Sequence, residues 1–179
     1  MTLAERLIAI HRALDAAEVP HAFGGAIAYW TLDPRGTSDI DVNIFVPAED
    51  NGPALSALPD GIDLPDGASA TIADDGQMRL WWDGTPVDVF FDYAPVHAEA
   101  GRYRRIVPFA GGETPVLGPE ELVVFKVVGD RTKDWADIEA VVAAGTVDLS
   151  IVRTLLHEMV GDDDPRLDRL VEAERRGRG

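Results

Sequence analysis

The sequence contains no cysteine, so disulfides and thiolate metal sites are excluded. It has no apolar run approaching the ~20 residues that a membrane-spanning helix needs. Its histidines, at 11, 21, 97 and 157, show no metal-ligand spacing, and helix or turn roles suit them better. No Gly-x-Ser-x-Gly, Walker or Rossmann pattern occurs. Positive charge is scarce: 16 Lys and Arg against 32 Asp and Glu leave a formal net charge of −16. A protein that grips nucleic acid through its phosphates usually presents a basic face. The basic residues gather at Arg102, Arg104 and Arg105, at Arg131 and Lys133, and at Arg175, Arg176 and Arg178. A local basic groove therefore stays open beside the alternative of a solvated acidic surface. The first residues, Met1 to Arg6, carry an acid early and lack a small-residue cleavage site, which argues against a signal peptide. The chain reads as a soluble, cytoplasmic protein with no membrane partner.

What is present is ordinary globular material, 46% hydrophobic and 27% charged over 179 residues. That length suits one domain, or a small α/β core with a helical annex. Thr2-Leu3-Ala4-Glu5 fits a capping box, and Leu3, Leu7, Ile10 and Leu14 recur at helical spacing to about Ala17. Pro20 breaks that helix, His21-Ala22-Phe23 reads as a short strand, and Ala26 to Leu32 reads as a second helix. Residues Asp39 to Val46 alternate and read as a strand ended by Pro47. A short helix near Ala54–Leu58 follows. Two strands, Met78–Trp82 and Pro86–Asp92, are joined by Asp83-Gly84-Thr85, a good hairpin signal. From Gly118 the pattern is helical: a helix to Val128 stopping at Gly129, then Lys133–Ala144, then Leu149–Val160. A last helix opens at Asp164-Pro165 and frays into the arginine-rich tail. The expected fold is α/β (α+β): a small mixed sheet with flanking helices over residues 1–117, and a helical region over residues 118–179.

Three acids carry the functional argument. Side chains alternate along a strand, so Asp39 and Asp41 share a face, with Cα atoms ~7 Å apart. Ile40, Val42, Ile44 and Val46 take the opposite, buried face. Two acids on one face repel, and a divalent cation is the simplest offset. The alternative is two exposed acids on an edge strand. Asp88 is embedded in the apolar run Val87-Asp88-Val89-Phe90-Phe91, where an acid is costly unless paired or metal-bound. If its strand lies beside the first, it becomes a third carboxylate facing the same cations. Asp92 shares that face but sits at the strand end, where turn chemistry is commoner. Gly24-Gly25 before a helix permits close approach of phosphate to backbone amides; a plain turn is the alternative. Lys126 lies in Leu122-Val123-Val124-Phe125-Lys126-Val127-Val128, where an ammonium needs a carboxylate, a ligand phosphate, or a route to solvent. Asp134 and Asp137 share a helix face, one suited to Lys126 and the other to Arg131 or Lys133. Trp81 or Trp82 could stack a base, the other being core.

Gly24-Gly25, then Arg35-Gly36-Thr37-Ser38, then Asp39-Ile40-Asp41 together resemble the nucleotidyltransferase superfamily, the DNA polymerase β-like fold. Within it, Phe23–Ala28 with Pro34–Asn43, and Phe125-Lys126 with Arg131–Ile138, look like the AbiEii-type nucleotidyltransferases, including the mycobacterial toxins of type IV toxin–antitoxin systems. The likeness covers roughly residues 1–145 and fades over 48–75 and the last thirty residues. It implies that Asp39 and Asp41 hold magnesium, that Asp88 is the candidate third ligand, and that Gly24 and Gly25 hold nucleotide phosphates. Arg35 and Thr37 would line the same site. Lys126 would contact the triphosphate, and an acid of the Arg131–Asp137 block would support catalysis; of the two, Asp137 is favoured for the site, since Asp134 near the helix start also suits the macrodipole. The implied reaction is transfer of a nucleoside monophosphate from an NTP to an acceptor hydroxyl with two Mg2+ ions, the acceptor being a tRNA 3′ end and the partner a cognate antitoxin. The acidic composition keeps two other readings open: a cationic small molecule as acceptor, as in antibiotic nucleotidyltransferases, or a non-catalytic nucleotide- or partner-binding module.

Overall fold

The computed structural model describes residues 1–24, 30–32, 36, 38–92 and 95–179. Most of the helix expected over Ala26–Leu32, and the site candidates Gly25, Arg35 and Thr37, lie outside the described residues. The chain divides into two compact units, Met1–Gly25 with Thr37–Leu117, and Ala26–Gly36 with Gly118–Gly179.

The first unit is built on a mixed sheet. In chain order it contains α1 (Leu3–Ala16), β1 (His21–Phe23), β2 (Ile40–Pro47), a 3-10 turn (Ala48–Asp50), α2 (Gly52–Ala57) and α3 (Ala68–Asp75). The hairpin β3 (Gln77–Trp82) and β4 (Thr85–Asp92), then α4 (Pro95–Tyr103) and the hairpin β5 (Arg105–Phe109) and β6 (Gly112–Val116) complete it. The strands lie in the order β3-β4-β2-β1-β6-β5. β2 pairs with β4 and β1 with β6 in parallel; the other neighbours are antiparallel.

Alternation decides which face becomes core. Ile40, Val42 and Ile44 of β2, Val87, Val89 and Phe91 of β4, and Leu80 and Trp82 of β3 are buried on one face. Ile10 and Leu14 of α1, Ala54 and Leu55 of α2, and Ile72 of α3 belong to the same cluster. Each fully buried aliphatic side chain contributes about 1.5–3 kcal/mol, so this face anchors the sheet. The Thr2 side chain accepts from the Glu5 amide while the Glu5 carboxylate accepts from the Thr2 amide, the capping box read from the sequence.

The packing leaves little slack beside Trp82. A Cβ on Gly61 would stand 2.2 Å from the indole Nε1 and 2.8 Å from Cε2, inside van der Waals contact. Gly61→Ala is therefore expected to destabilise the protein by about 1–3 kcal/mol. For a chain of this size that lowers Tm by roughly 2–10 °C in calorimetry; an unchanged Tm would show that the indole has room to move.

The second unit carries α5 (Pro119–Gly129), α6 (Thr132–Ala144), α7 (Leu149–Val160) and α8 (Pro165–Gly177). Two ends differ from the sequence pattern. α5 continues through Gly129, and Asp130 takes the left-handed capping conformation at φ 53°. α8 does not fray at the arginines. It runs to Gly177 because Arg175 and Arg176 pair with Glu172, and Arg178 and Arg153 with Glu174. Among the described residues, no helix is long and apolar enough to cross a membrane.

Candidate functional site

The face of β2 and β4 opposite the core carries Asp41, Asn43 and Phe45, and Asp88 and Phe90. Toward Phe45 this face is covered by α4, whose Gly101 packs so closely that an added Cβ would stand 2.9 Å from the Phe45 ring. At the other end it stays half-buried, and there the acids meet. The parallel register sets Asp41 directly against Asp88. Asp39 stands one residue before β2 begins. One carboxylate oxygen from each of Asp39, Asp41 and Asp88 lies within 4.8 Å of the other two, the single such cluster among the described residues. The structure thus brings Asp88, whose place depended on which strands are neighbours, to the pair Asp39 and Asp41, and the group is suited to a metal ion. All three donors are hard carboxylate oxygens, the set that magnesium, manganese or calcium take and that zinc or copper do not favour.

Gly24 closes the edge of this cluster. Its amide donates to the Asp41 carbonyl at 2.9 Å. A Cβ there would stand 2.9 Å from the Asn43 side-chain nitrogen and 3.4 Å from the Asp41 Cβ. A side chain at residue 24 would have to displace the Asn43 amide, and the glycine keeps this backbone close beside the acids.

One residue of the cluster carries no sequence motif. Arg79 of β3 faces Asp88 across the hairpin. Its Nε donates to Asp88 Oδ1 at 2.7 Å and its Nη2 to Oδ2 at 2.6 Å. Asp88, and behind it Asp39 and Asp41, push the Arg79 pKa above its ordinary value. Trp81 lies on the same face of β3 and is 46% exposed, whereas Trp82 is core.

Lys126, Asp134 and Asp137 form a separate cluster within the second unit. Lys126 Nζ donates to Asp137 Oδ2 at 2.7 Å and to Asp134 Oδ1 at 3.5 Å. Arg131 holds Asp134 through Nε at 2.6 Å, Nη2 at 3.1 Å and its backbone amide at 3.3 Å. Burial raises the Asp134 pKa, but the Arg131 hydrogen bonds and the Lys126 charge outweigh it and leave the carboxyl below its ordinary value. Asp130 accepts from Trp135 Nε1 at 2.8 Å, and Arg169 lies 4.3 Å from the Trp135 ring centroid.

The histidines form no metal cluster among the described residues. His21 Nδ1 donates to the Val19 carbonyl at 2.8 Å, which leaves its Nε2, 2.9 Å away, to accept from His11 Nδ1. They border a cavity of about 610 Å3 with Asp15, Arg104, Glu113 and Thr114; none of the three clustered acids lines it.

No protein-family model and no curated protein matches the chain. Among solved structures it is similar to an antigenic nucleotidyltransferase-like protein from Paracoccidioides brasiliensis, with TM-score 0.50 and 17% identity over 96% of this chain and 93% of that one. A Helicobacter pylori protein that also bears the name nucleotidyltransferase gives TM-score 0.49 and 15% identity, over 97% of this chain and 90% of that one. JHP933 from Helicobacter pylori gives 0.44 and 16%, over 97% and 88%. At these identities the likeness speaks for the backbone, and the comparison at 0.50 carries it: the chain has a nucleotidyltransferase-like fold.

Proposed function

We propose that the protein is a nucleotidyltransferase that moves a nucleoside monophosphate from an NTP to an acceptor hydroxyl, with magnesium held by Asp39, Asp41 and Asp88. The carrying observation is the cluster of three carboxylates within 4.8 Å on the open face of a sheet whose other face is core. Asp39, Asp41 and Asp88 would hold divalent cations, which would supply charge neutralisation at the triphosphate and lower the pKa of the attacking hydroxyl. That hydroxyl gives up its proton to water and forms a bond to the α-phosphorus, the α–β phosphoanhydride bond breaks, and pyrophosphate leaves. Asp39 and Asp41 fix where the cations meet the charge of the triphosphate, and the Gly24 backbone stands beside Asp41. Gly25, Arg35 and Thr37 are assigned to the nucleotide by the motif resemblance alone, as is the contact of Lys126 with the triphosphate. Asp137 would hold the Lys126 ammonium in place at 2.7 Å.

The acceptor is proposed as a tRNA 3′ end and the biological role as the toxin of a type IV toxin–antitoxin pair, both on the two AbiEii-like blocks. One observation favours a second reading, a small cationic acceptor. Much of the basic surface is internally neutralised: Arg102 pairs with Glu99, Arg175 and Arg176 with Glu172, and Arg178 with Glu174. In a chain of net charge −16 that leaves less cationic surface for a polynucleotide. Incubating the protein with Mg2+, each α-labelled NTP, and either total tRNA or a panel of aminoglycosides separates the two. Label in RNA supports the first and label in the small molecule the second. NTP binding in calorimetry with no pyrophosphate released in any mixture would reduce the protein to a binding module and sink the transferase reading.

A further inference from the structure

Both oxygens of Asp88 are engaged by a single guanidinium. The paired N–H groups of Arg79 meet them at 2.7 and 2.6 Å, the fork geometry in which an arginine–carboxylate contact is strongest. A carboxylate so gripped keeps lone pairs, but a divalent cation sharing it would sit against a fixed positive charge. That charge also interacts with Asp39 and Asp41. Arg79 is not locked where it stands. Its side chain is 52% exposed while that of Asp88 is 16% exposed, so the acid is the fixed member and the guanidinium can leave for solvent.

We infer that Arg79 is a latch on the metal centre: it occupies Asp88 in the cation-free protein and is displaced when a divalent cation binds. The inference rests on the metal-dependent reading proposed above and assigns Arg79 as a positioning residue, not a ligand. Its physical content is competition. Without a cation, Arg79 offsets the mutual repulsion of the three acids and holds Asp88 in one orientation. With a cation, the same charge opposes binding, so cation affinity is set lower than the three carboxylates alone would give.

The test is direct binding of Mn2+ to the full chain after chelator treatment, by calorimetry and by the loss of free-ion EPR signal, in the wild type, Arg79→Gln and Arg79→Lys. Arg79→Gln is expected to bind Mn2+ at least about tenfold more tightly than the wild type, because a nearby unit charge is removed. Arg79→Lys, which keeps the charge but not the fork, is expected to fall between. In an Asp88→Asn background the gain from Arg79→Gln should largely vanish, since the competition runs through that carboxylate. A melting curve supplies a second readout: cation-free Arg79→Gln should melt below the wild type and gain more on Mn2+ addition. Equal or weaker Mn2+ affinity in Arg79→Gln, with the wild type binding, overturns the latch and leaves the metal site standing. Absence of Mn2+ binding in all variants overturns the metal reading and the latch with it.

Discussion

Asp41→Asn is expected to abolish nucleotidyl transfer, by at least about 10^3-fold in kcat/KM, which corresponds to roughly 4 kcal/mol of transition-state stabilisation. Asparagine keeps the shape of the side chain and one oxygen, so the strand and its pairing with Asp88 survive. What is lost is one negative charge from a set of three whose proposed task is to hold cations against a triphosphate. Circular dichroism should be unchanged. The rise in Tm that Mg2+ gives the wild type, a mass-action consequence of binding the folded state, should largely disappear. Transfer retained within tenfold of the wild-type rate would sink the proposed role of the carboxylates. A comparable loss in Asp39→Asn and Asp88→Asn would extend it to the whole cluster.

The centre of this site was legible in the sequence because strand geometry is local. Asp39-Ile40-Asp41-Val42 fixes which side chains share a face, and Asp88 among apolar residues announces an acid that needs a partner or a metal. The parallel pairing that sets Asp41 against Asp88 was conditional, since a sequence does not state which strands are neighbours. Arg79 was not legible: the three-residue connection Asp83-Gly84-Thr85 read from the sequence would set it opposite Val89, whereas the structure makes a two-residue Asp83-Gly84 turn with Trp82 opposite Thr85, which places Arg79 opposite Asp88. No motif marks it, because its role comes from register. β5 and β6 escaped for the opposite reason: Pro108 and Pro115 argue against strands. Pro108 is tolerated on an edge strand, and Ala110 and Gly111, both at positive φ, make the hairpin turn. α3 lay hidden in a short stretch of small and polar residues between Gly67 and Gly76, its Ile72 and Ala68 alone being buried.

The second large effect is structural. Asp134→Ala is expected to destabilise the protein by about 2–4 kcal/mol. Asp134 is fully buried, and breaking a buried pair from one side typically costs about 3–5 kcal/mol because a partner is left uncompensated. Two features reduce that figure here. The Arg131 side chain is 63% exposed, so water recovers its charge, and Lys126 keeps Asp137 at 2.7 Å. One feature adds to it: Asp134 accepts from the Arg131 amide at the start of α6, and losing that cap costs about 1 kcal/mol. The pH dependence has a definite sign. The folded-state pKa of Asp134 lies below its ordinary 3.8, so its contribution is complete above about pH 4–5 and fades as pH falls through the folded value. Denaturant unfolding at pH 7 should therefore show the full difference between wild type and Asp134→Ala, and the gap should narrow as pH falls through the folded-state value. The difference is expected in the unfolding free energy whether or not the protein turns over nucleotide. Equal stability at pH 7 would mean that the buried carboxylate is not an anchor of the second unit, and would return Asp134 to the candidates for direct contact with the nucleotide.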